Sequence, residues 1–192
     1  LTLANRGDTS IEIDDVALQA KGTGTFRRDV IDALTSLRPG YLRDWQGQLG
    51  DTLANRLASP DARRPTRYRP EGQGLFGYSV PEFLHIARTV DARPWLVLPT
   101  TFSDREYREF GRYIAREHGD RPFADIVVEF GNENWNSTFR PAGIVADPQH
   151  AQAADRAFRA IREGAGLTAN GASTTPLTLA MNAHFARPRQ MS

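Results

Sequence analysis

The chain of 192 residues contains no cysteine. That excludes a disulfide framework, a thiolate nucleophile and a cysteine-ligated zinc. It suits cytoplasm and periplasm equally. Lysine is nearly missing too, Lys21 being the only one. The remaining basic residues are arginines, which we read as genome composition. With 24 basic against 23 acidic side chains the net charge is +1, which gives no reason to expect nucleic acid or an anionic membrane as partner. No apolar run is long enough to span a bilayer. The 4 histidines show no metal-ligand spacing, so neither a metal nor another cofactor is expected. The sequence opens LTLANRGDTS, with neither Met nor a recognisable export signal. Both ends read as cut, and the remainder of the same polypeptide is an expected partner.

What is present suffices for one core. Hydrophobic residues make up 40%, with 10 Phe and 3 Trp, which at this length fits one domain and a piece of another. In TSIEIDDVALQA, Ile11 and Ile13 and then Val16 and Leu18 alternate, so residues 1–20 read as strands. KGTGT, residues 21–25, reads as a linker by its glycines. From Phe26 onward strand and helix signals alternate.

A helix over about residues 26–37 carries Val30, Ala33, Leu34 and Leu37 at i, i+3, i+4 and i+7. Ser79-Val-Pro-Glu82 and Ser103-Asp-Arg-Glu106 are capping boxes, in which the serine accepts an early backbone N–H and the glutamate reaches back to the cap. The first opens a helix with Phe83, Ile86, Ala87 and Val90 on its apolar face. The second opens one with Tyr107, Phe110 and Ile114, ending at Gly119. Asp147-Pro148 starts another, lined by Ala151, Ala154, Phe158 and Ile161. Strands are predicted at 41–47, 94–99, 126–131 and 177–183. PWLVLPT is a continuous apolar run, as expected of a parallel strand buried on both faces. Residues 48–77 read as a long loop.

Strands alternating with helices imply a parallel sheet with right-handed crossovers. An open doubly wound sheet and a (β/α)8 TIM barrel both satisfy this α/β pattern. No predicted strand runs directly into GxGxxG or GxxxxGK[ST], so the usual nucleotide-binding signature of the open sheet is missing there. Polar residues gather after strand ends instead: Arg43-Asp44-Trp45-Gln46, Thr100-Thr101, Asn132-Glu133-Asn134-Trp135, and Asn182 with His184. Such groups at the C-terminal ends of several strands are what a barrel enzyme requires. A partial barrel over residues 26–192 is the expected fold.

Within this set Glu133 carries the most chemistry. Cleaving a glycosidic bond takes one carboxylic acid to protonate the leaving oxygen and a second carboxylate across the ring. The acid must hold its proton near neutral pH, which an apolar setting promotes; Phe130 and Trp135 are expected to provide one. Asn132 offers a donor and an acceptor suited to a sugar 2-hydroxyl. The bland alternative is a turn carboxylate that caps the next element.

The run GNENWN after IVVEF resembles the Gly-Asn-Glu signature of the large (β/α)8 clan of retaining glycoside hydrolases. More of the chain is similar to one branch, the α-L-arabinofuranosidase-like hydrolases: IDDVAL, FRRDVIDALTSLRPG, YLRDWQG, FGYSVPEFLHIARTVDARPWLVLPTT and IVVEFGNENWN, over most of residues 11–165. The resemblance implies that residues 1–20 close a carbohydrate-binding β-sandwich and that the strands here are about strands 2–5 of the barrel. It implies Glu133 as acid/base, Asn132 as 2-hydroxyl ligand, and Arg43 as the group orienting a nucleophilic Glu. That Glu belongs to a seventh strand, outside this sequence. These hydrolases usually follow the arginine with Pro-Gly-Gly, whereas here Asp44-Trp45-Gln46 follow, so the rim of the sugar pocket is expected to differ.

Trp45 and Trp135 either stack on sugar faces or pack within the fold, and His184 either contacts substrate or is structural. Arg43 is equally placed to pair with Glu129. Arg56, Arg63, Arg64, Arg67 and Arg69 form either a solvated loop or a reader of uronic acids. The expectation is a bacterial retaining glycosidase acting on a polysaccharide or oligosaccharide, secreted or periplasmic rather than cytoplasmic, with this segment inactive by itself. The rival from another class is a non-catalytic carbohydrate-binding or assembly module on the same barrel.

Overall fold

The computed structural model describes residues 7–8, 10, 12, 25–45, 51–64, 66–69, 72–74, 78–136, 145, 147–167 and 174–183. Most of the expected β-sandwich segment, residues 1–20, and most of the linker lie outside these residues, as does His184.

Four strands form one parallel sheet: β1 (Tyr41–Asp44), β4 (Arg93–Leu98), β5 (Ile126–Phe130) and β6 (Leu177–Met181). They lie in the order β1-β4-β5-β6. Each parallel strand therefore pairs with the one before it in the chain. A doubly wound sheet would reverse direction at a switch point; none occurs among these strands, and the sequential order is that of a barrel segment. Registers are regular, Arg43 opposite Trp95, Val97 opposite Glu129 and Glu129 opposite Ala180.

Four helices accompany the sheet: α1 (Arg28–Leu37), α3 (Val80–Thr89), α4 (Asp104–Asp120) and α5 (Asp147–Gly164). The capping boxes work as read. Ser79 N–H donates to Glu82 Oε2 at 2.7 Å, and Ser103 N–H to Glu106 Oε2 at 2.9 Å. Leu84, Phe110, Ile114 and Ile161 from the helices meet Leu96, Leu98, Ile126, Val128 and Phe130 from the sheet in one buried cluster. Each such side chain contributes about 1.5–3 kcal/mol by leaving water. Strand side chains alternate between faces, so Tyr41, Arg43, Trp95, Val97, Val127 and Glu129 point away from the helices, toward what would be the barrel interior.

Two glycines let α4 and α5 pack tightly. A Cβ on Gly111 would lie 2.2 Å from Ile161 O, and one on Gly164 would lie 1.9 Å from Arg108 O. Backbone meets backbone at that seam.

Of the predicted apolar face of α1 only Leu34 is used. It packs with Ile31, from outside that face, against Ile86, Val90 and Ala92, while Ala33 is exposed and Val30 is 42% and Leu37 75% exposed. The apolar stripe is wider than the surface that α3 offers it.

The segment read as a loop contains structure. It holds a five-residue helix α2 (Leu53–Leu57) and an antiparallel hairpin of β2 (Thr66–Arg69) with β3 (Gly72–Gly74). Gly72, Gly74 and Gly77 do show GxGxxG spacing. The first two belong to this hairpin, not to a turn between a parallel strand and its helix, so the dinucleotide-binding context is missing.

Candidate active site

Glu129 lies in the middle of β5, where all five residues are buried. Its carboxylate faces the side away from the helices and is met by three donors. Arg43 Nε donates to Oε2 at 2.9 Å and Arg43 Nη2 to Oε1 at 3.0 Å. Trp95 Nε1 donates to Oε2 at 2.8 Å. A paired fork of this kind is the strong form of a charge-assisted hydrogen bond. The ion pair foreseen for Arg43 thus forms, and the same guanidinium reaches further. Its Nη2 donates to Asn132 Oδ1 at 2.8 Å, past the C-terminal end of β5. That bond fixes the Asn132 amide with its NH2 turned the other way.

The turn after β5 explains its own sequence. Gly131 has φ +66, and a Cβ there would lie 1.9 Å from Asn134 Oδ1. Only glycine satisfies both conditions. Asn134 is buried and donates to Phe130 O at 3.1 Å, folding back over Gly131. Asn136 N–H closes the turn on Glu133 O at 2.7 Å.

Glu133 itself has φ +47. For a residue with a Cβ such a conformation costs on the order of 1–3 kcal/mol and persists only when its surroundings enforce it. Its carboxylate is exposed and accepts from Asn136 Nδ2 at 2.8 Å. The apolar flank expected from Phe130 does not form. Phe130 points into the helix layer, packed on Tyr107, His150 and Phe158, because its place in the strand alternation puts it opposite to Glu129.

Trp45 follows Asp44 at this same end of the sheet, and Trp135 follows Asn134 in the turn; both are partly buried. Arg43, Asn132 and Glu133 are brought to one end, while His184 lies outside the described residues.

Asp44 is not on the rim. It is buried with Arg56 of α2, Nη2 to Oδ2 3.0 Å, and Arg56 Nη1 also donates to Val97 O at 3.3 Å. Burial pushes the Arg56 guanidinium below its ordinary pKa, opposed by the Asp44 and Asp51 carboxylates. Arg63 is likewise buried against Glu82 at 3.0 Å. These two arginines neither face solvent nor stand free for uronic acids. They pin the long segment to the barrel, and the sequence alone gave no sign of it because their partners lie 12 and 19 residues away.

A cleft of about 560 Å³ opens at the opposite end of the sheet, lined by Arg88, Asp91, Arg93, Arg121 and Phe123 among others. In barrels that end serves stability. Among the described residues no cluster of three or more His, Asp or Glu is arranged to hold a metal, and no helix is long and apolar enough to cross a membrane.

The fold is thus a segment of a (β/α)8 barrel with polar groups at the strands' C-terminal end. Solved α-L-arabinofuranosidases share that fold. The arabinose complex of the enzyme from Thermotoga maritima matches with a TM-score of 0.60 at 17% identity, over 80% of this chain and 33% of that one. The thermostable enzyme from Thermotoga petrophila gives 0.59 at 17%, over 80% and 34%. The GH51 arabinofuranosidase from Xanthomonas axonopodis pv. citri gives 0.58 at 16%, over 81% and 33%. The chain therefore spans about a third of the length of the solved structures it matches. No protein-family model matches it, and no curated protein matches it in sequence.

Proposed function

We propose that this chain carries the acid/base portion of a retaining glycoside hydrolase of the α-L-arabinofuranosidase kind, acting on an oligosaccharide or polysaccharide. Glu133 is the general acid and then general base. Asn132, its amide oriented by Arg43, holds the sugar 2-hydroxyl, and Trp45 and Trp135 flank the ring. The observation that supports this most is the strained Glu133 turn, set beside an asparagine that Arg43, paired with the buried Glu129, holds in place. Nothing in that geometry is needed to terminate a strand. The nucleophile would come from a later strand of the same polypeptide, about 5–5.5 Å from Glu133 as retention requires.

The exposed, Asn136-bonded carboxylate favours a second reading, a carbohydrate-binding barrel without turnover. One experiment separates the two. In the whole protein, Glu133→Ala should slow unactivated alkyl glycosides by about 10²–10⁴-fold, the usual worth of general acid catalysis, and spare nitrophenyl glycosides in the glycosylation step. Azide should restore the second step. Unchanged binding with no measurable hydrolysis by the wild type supports the binding module; equal loss on both substrates without rescue removes Glu133 from the role.

A further inference from the structure

His150, on the first turn of α5, is 3% exposed. Its Nε2 faces the carbonyl oxygen of Asn182 at 3.2 Å. A carbonyl only accepts, so Nε2 carries the hydrogen. Its Nδ1 faces Asn134 Nδ2 at 3.3 Å. In the neutral ring with Nε2–H that nitrogen is an acceptor, which matches the amide NH2. The same NH2 donates to Phe130 O, so one amide orientation satisfies both partners and the reverse satisfies neither. Asn182 closes the ring of contacts, its Nδ2 donating to Phe130 O at 2.8 Å and to Gly131 O at 3.1 Å. Three elements therefore converge on residues 130–134: α5 through His150, the end of β6 through Asn182, and β5 itself.

We infer that His150 is a positioning residue, which locks Asn134 over Gly131 and so enforces the strained backbone that presents Glu133. Asn132 is held on one side of Glu133 by Arg43. Asn134 is held on the other by His150. The Glu133 conformation is unfavourable in isolation, and a turn released from either clamp relaxes toward an ordinary φ. The imidazole acts through a polar bond to the turn and never contacts substrate. This inference rests on Glu133 being the general acid.

Two variants in the whole protein test it. His150→Phe keeps a ring against Phe130 and removes both hydrogen bonds; His150→Gln keeps one donor and one acceptor. Hydrogen exchange reads the positioning without reference to activity. His150→Phe should raise exchange at residues 131–136 about tenfold or more, the factor equivalent to about 1.4 kcal/mol, with α4 amides unchanged and His150→Gln near wild type. Unchanged exchange at 131–136 overturns the inference. Kinetics read the consequence. His150→Phe should cut kcat/KM on alkyl α-L-arabinofuranosides by about 10–100-fold, part of the general-acid contribution, while nitrophenyl substrates change little. Equal loss on both, or no recovery in His150→Gln, assigns His150 to the fold alone and overturns it. If Glu133→Ala shows no leaving-group dependence while His150→Phe still loosens the turn, the reading of Glu133 falls and the clamp stands.

Discussion

Arg43 and Asn132 are joined by one hydrogen bond, Nη2 to Oδ1 at 2.8 Å, although 89 residues separate them. The arginine can make that bond because Glu129 already holds its Nε–Nη2 edge, leaving the second Nη2 hydrogen for Asn132. Side-chain exposures of 32% for Arg43 and 6% for Glu129 show which partner suffers when the pair is broken. Arg43→Met leaves a buried carboxylate with Trp95 as its remaining described donor. Losing one member of a buried pair costs about 3–5 kcal/mol; the partial exposure of Arg43 puts the expected loss at the lower end. Arg43→Met with Glu129→Gln should recover most of the stability and none of the Asn132 orientation. Denaturant unfolding and KM, measured on the wild type, Arg43→Met, Glu129→Gln and the double variant, separate those two effects. Parallel recovery of both quantities would break the link from Arg43 to Asn132.

The Asp44–Arg56 pair makes a prediction of a different sort. Both groups are buried, so Arg56→Met alone should destabilise by about 3–5 kcal/mol. Replacing both, as Asp44→Leu with Arg56→Met, should be close to neutral, since apolar residues of similar volume often do as well as a buried pair. Urea midpoints of the wild type and these two variants check this. A double variant as unstable as the single one means that the bond from Arg56 to the Val97 carbonyl matters more than the pair.

Glu106 sets an acid limit on the fold. Burial pushes its carboxyl up, but the Ser103 N–H, the Leu53 N–H and the Ser103 hydroxyl outweigh it and hold the pKa below the ordinary value. The charged form is thus better served in the folded chain than in the unfolded one. Its stabilisation is complete above the unfolded carboxylate pKa, about 4.3, and is lost as pH falls through the lower folded value. The gap in unfolding midpoint between wild type and Glu106→Gln should be open at neutral pH and should close in acid. A gap of constant size across that range would show that the hydrogen bonds do not depend on the charge.

Gly111 and Gly119 lie on the same helix and should respond in opposite directions to alanine. At Gly119 a Cβ meets nothing within 4 Å. Alanine there should stabilise by up to about 1 kcal/mol, the helix-propensity difference, reduced by its nearness to the helix end. At Gly111 the same Cβ would press on the Ile161 carbonyl, and overpacking costs about 1–3 kcal/mol. Thermal unfolding of the two variants suffices. Stabilisation by Gly111→Ala would show that α4 and α5 can part without cost.

Much of this was legible in the sequence where a local rule set the outcome. The capping boxes at Ser79 and Ser103 start helices because four residues contain the whole device. IVVEF forms β5 because a run that apolar has few other places to go. Arg43 and Asn132 could be named from motif position, but their contact could not. Two of the misses, α2 and the burial of Arg56, depend on distant partners, whereas the Phe130 miss lies in the strand alternation itself. α2 is too short to show a period, and nothing local marks Arg56 as buried. Glu133 reads as flanked by Phe130 until the strand alternation turns the ring away. His150 carried a usable signal: it continues the buried stripe of Ala154, Ala157 and Ile161 by one turn, and a polar side chain on such a stripe needs a partner.

The strand order has a consequence for synthesis. Each parallel strand docks on the one made just before it, β4 on β1, β5 on β4, β6 on β5. A nascent chain emerges N-terminus first, so β4, β5 and β6 each find a partner already made. A doubly wound sheet leaves its first strand waiting, since later strands must return to it. Here each loop to be closed runs only to the next parallel strand, although the one from β1 to β4 also carries α2 and the β2–β3 hairpin, and loop-closure entropy grows only slowly with length. The adhesive edge travels with the ribosome, always on the newest strand. Chains arrested after α4 and after β6 should therefore gain protease resistance in steps, strand by strand, and the most vulnerable bond should move along the sequence with chain length.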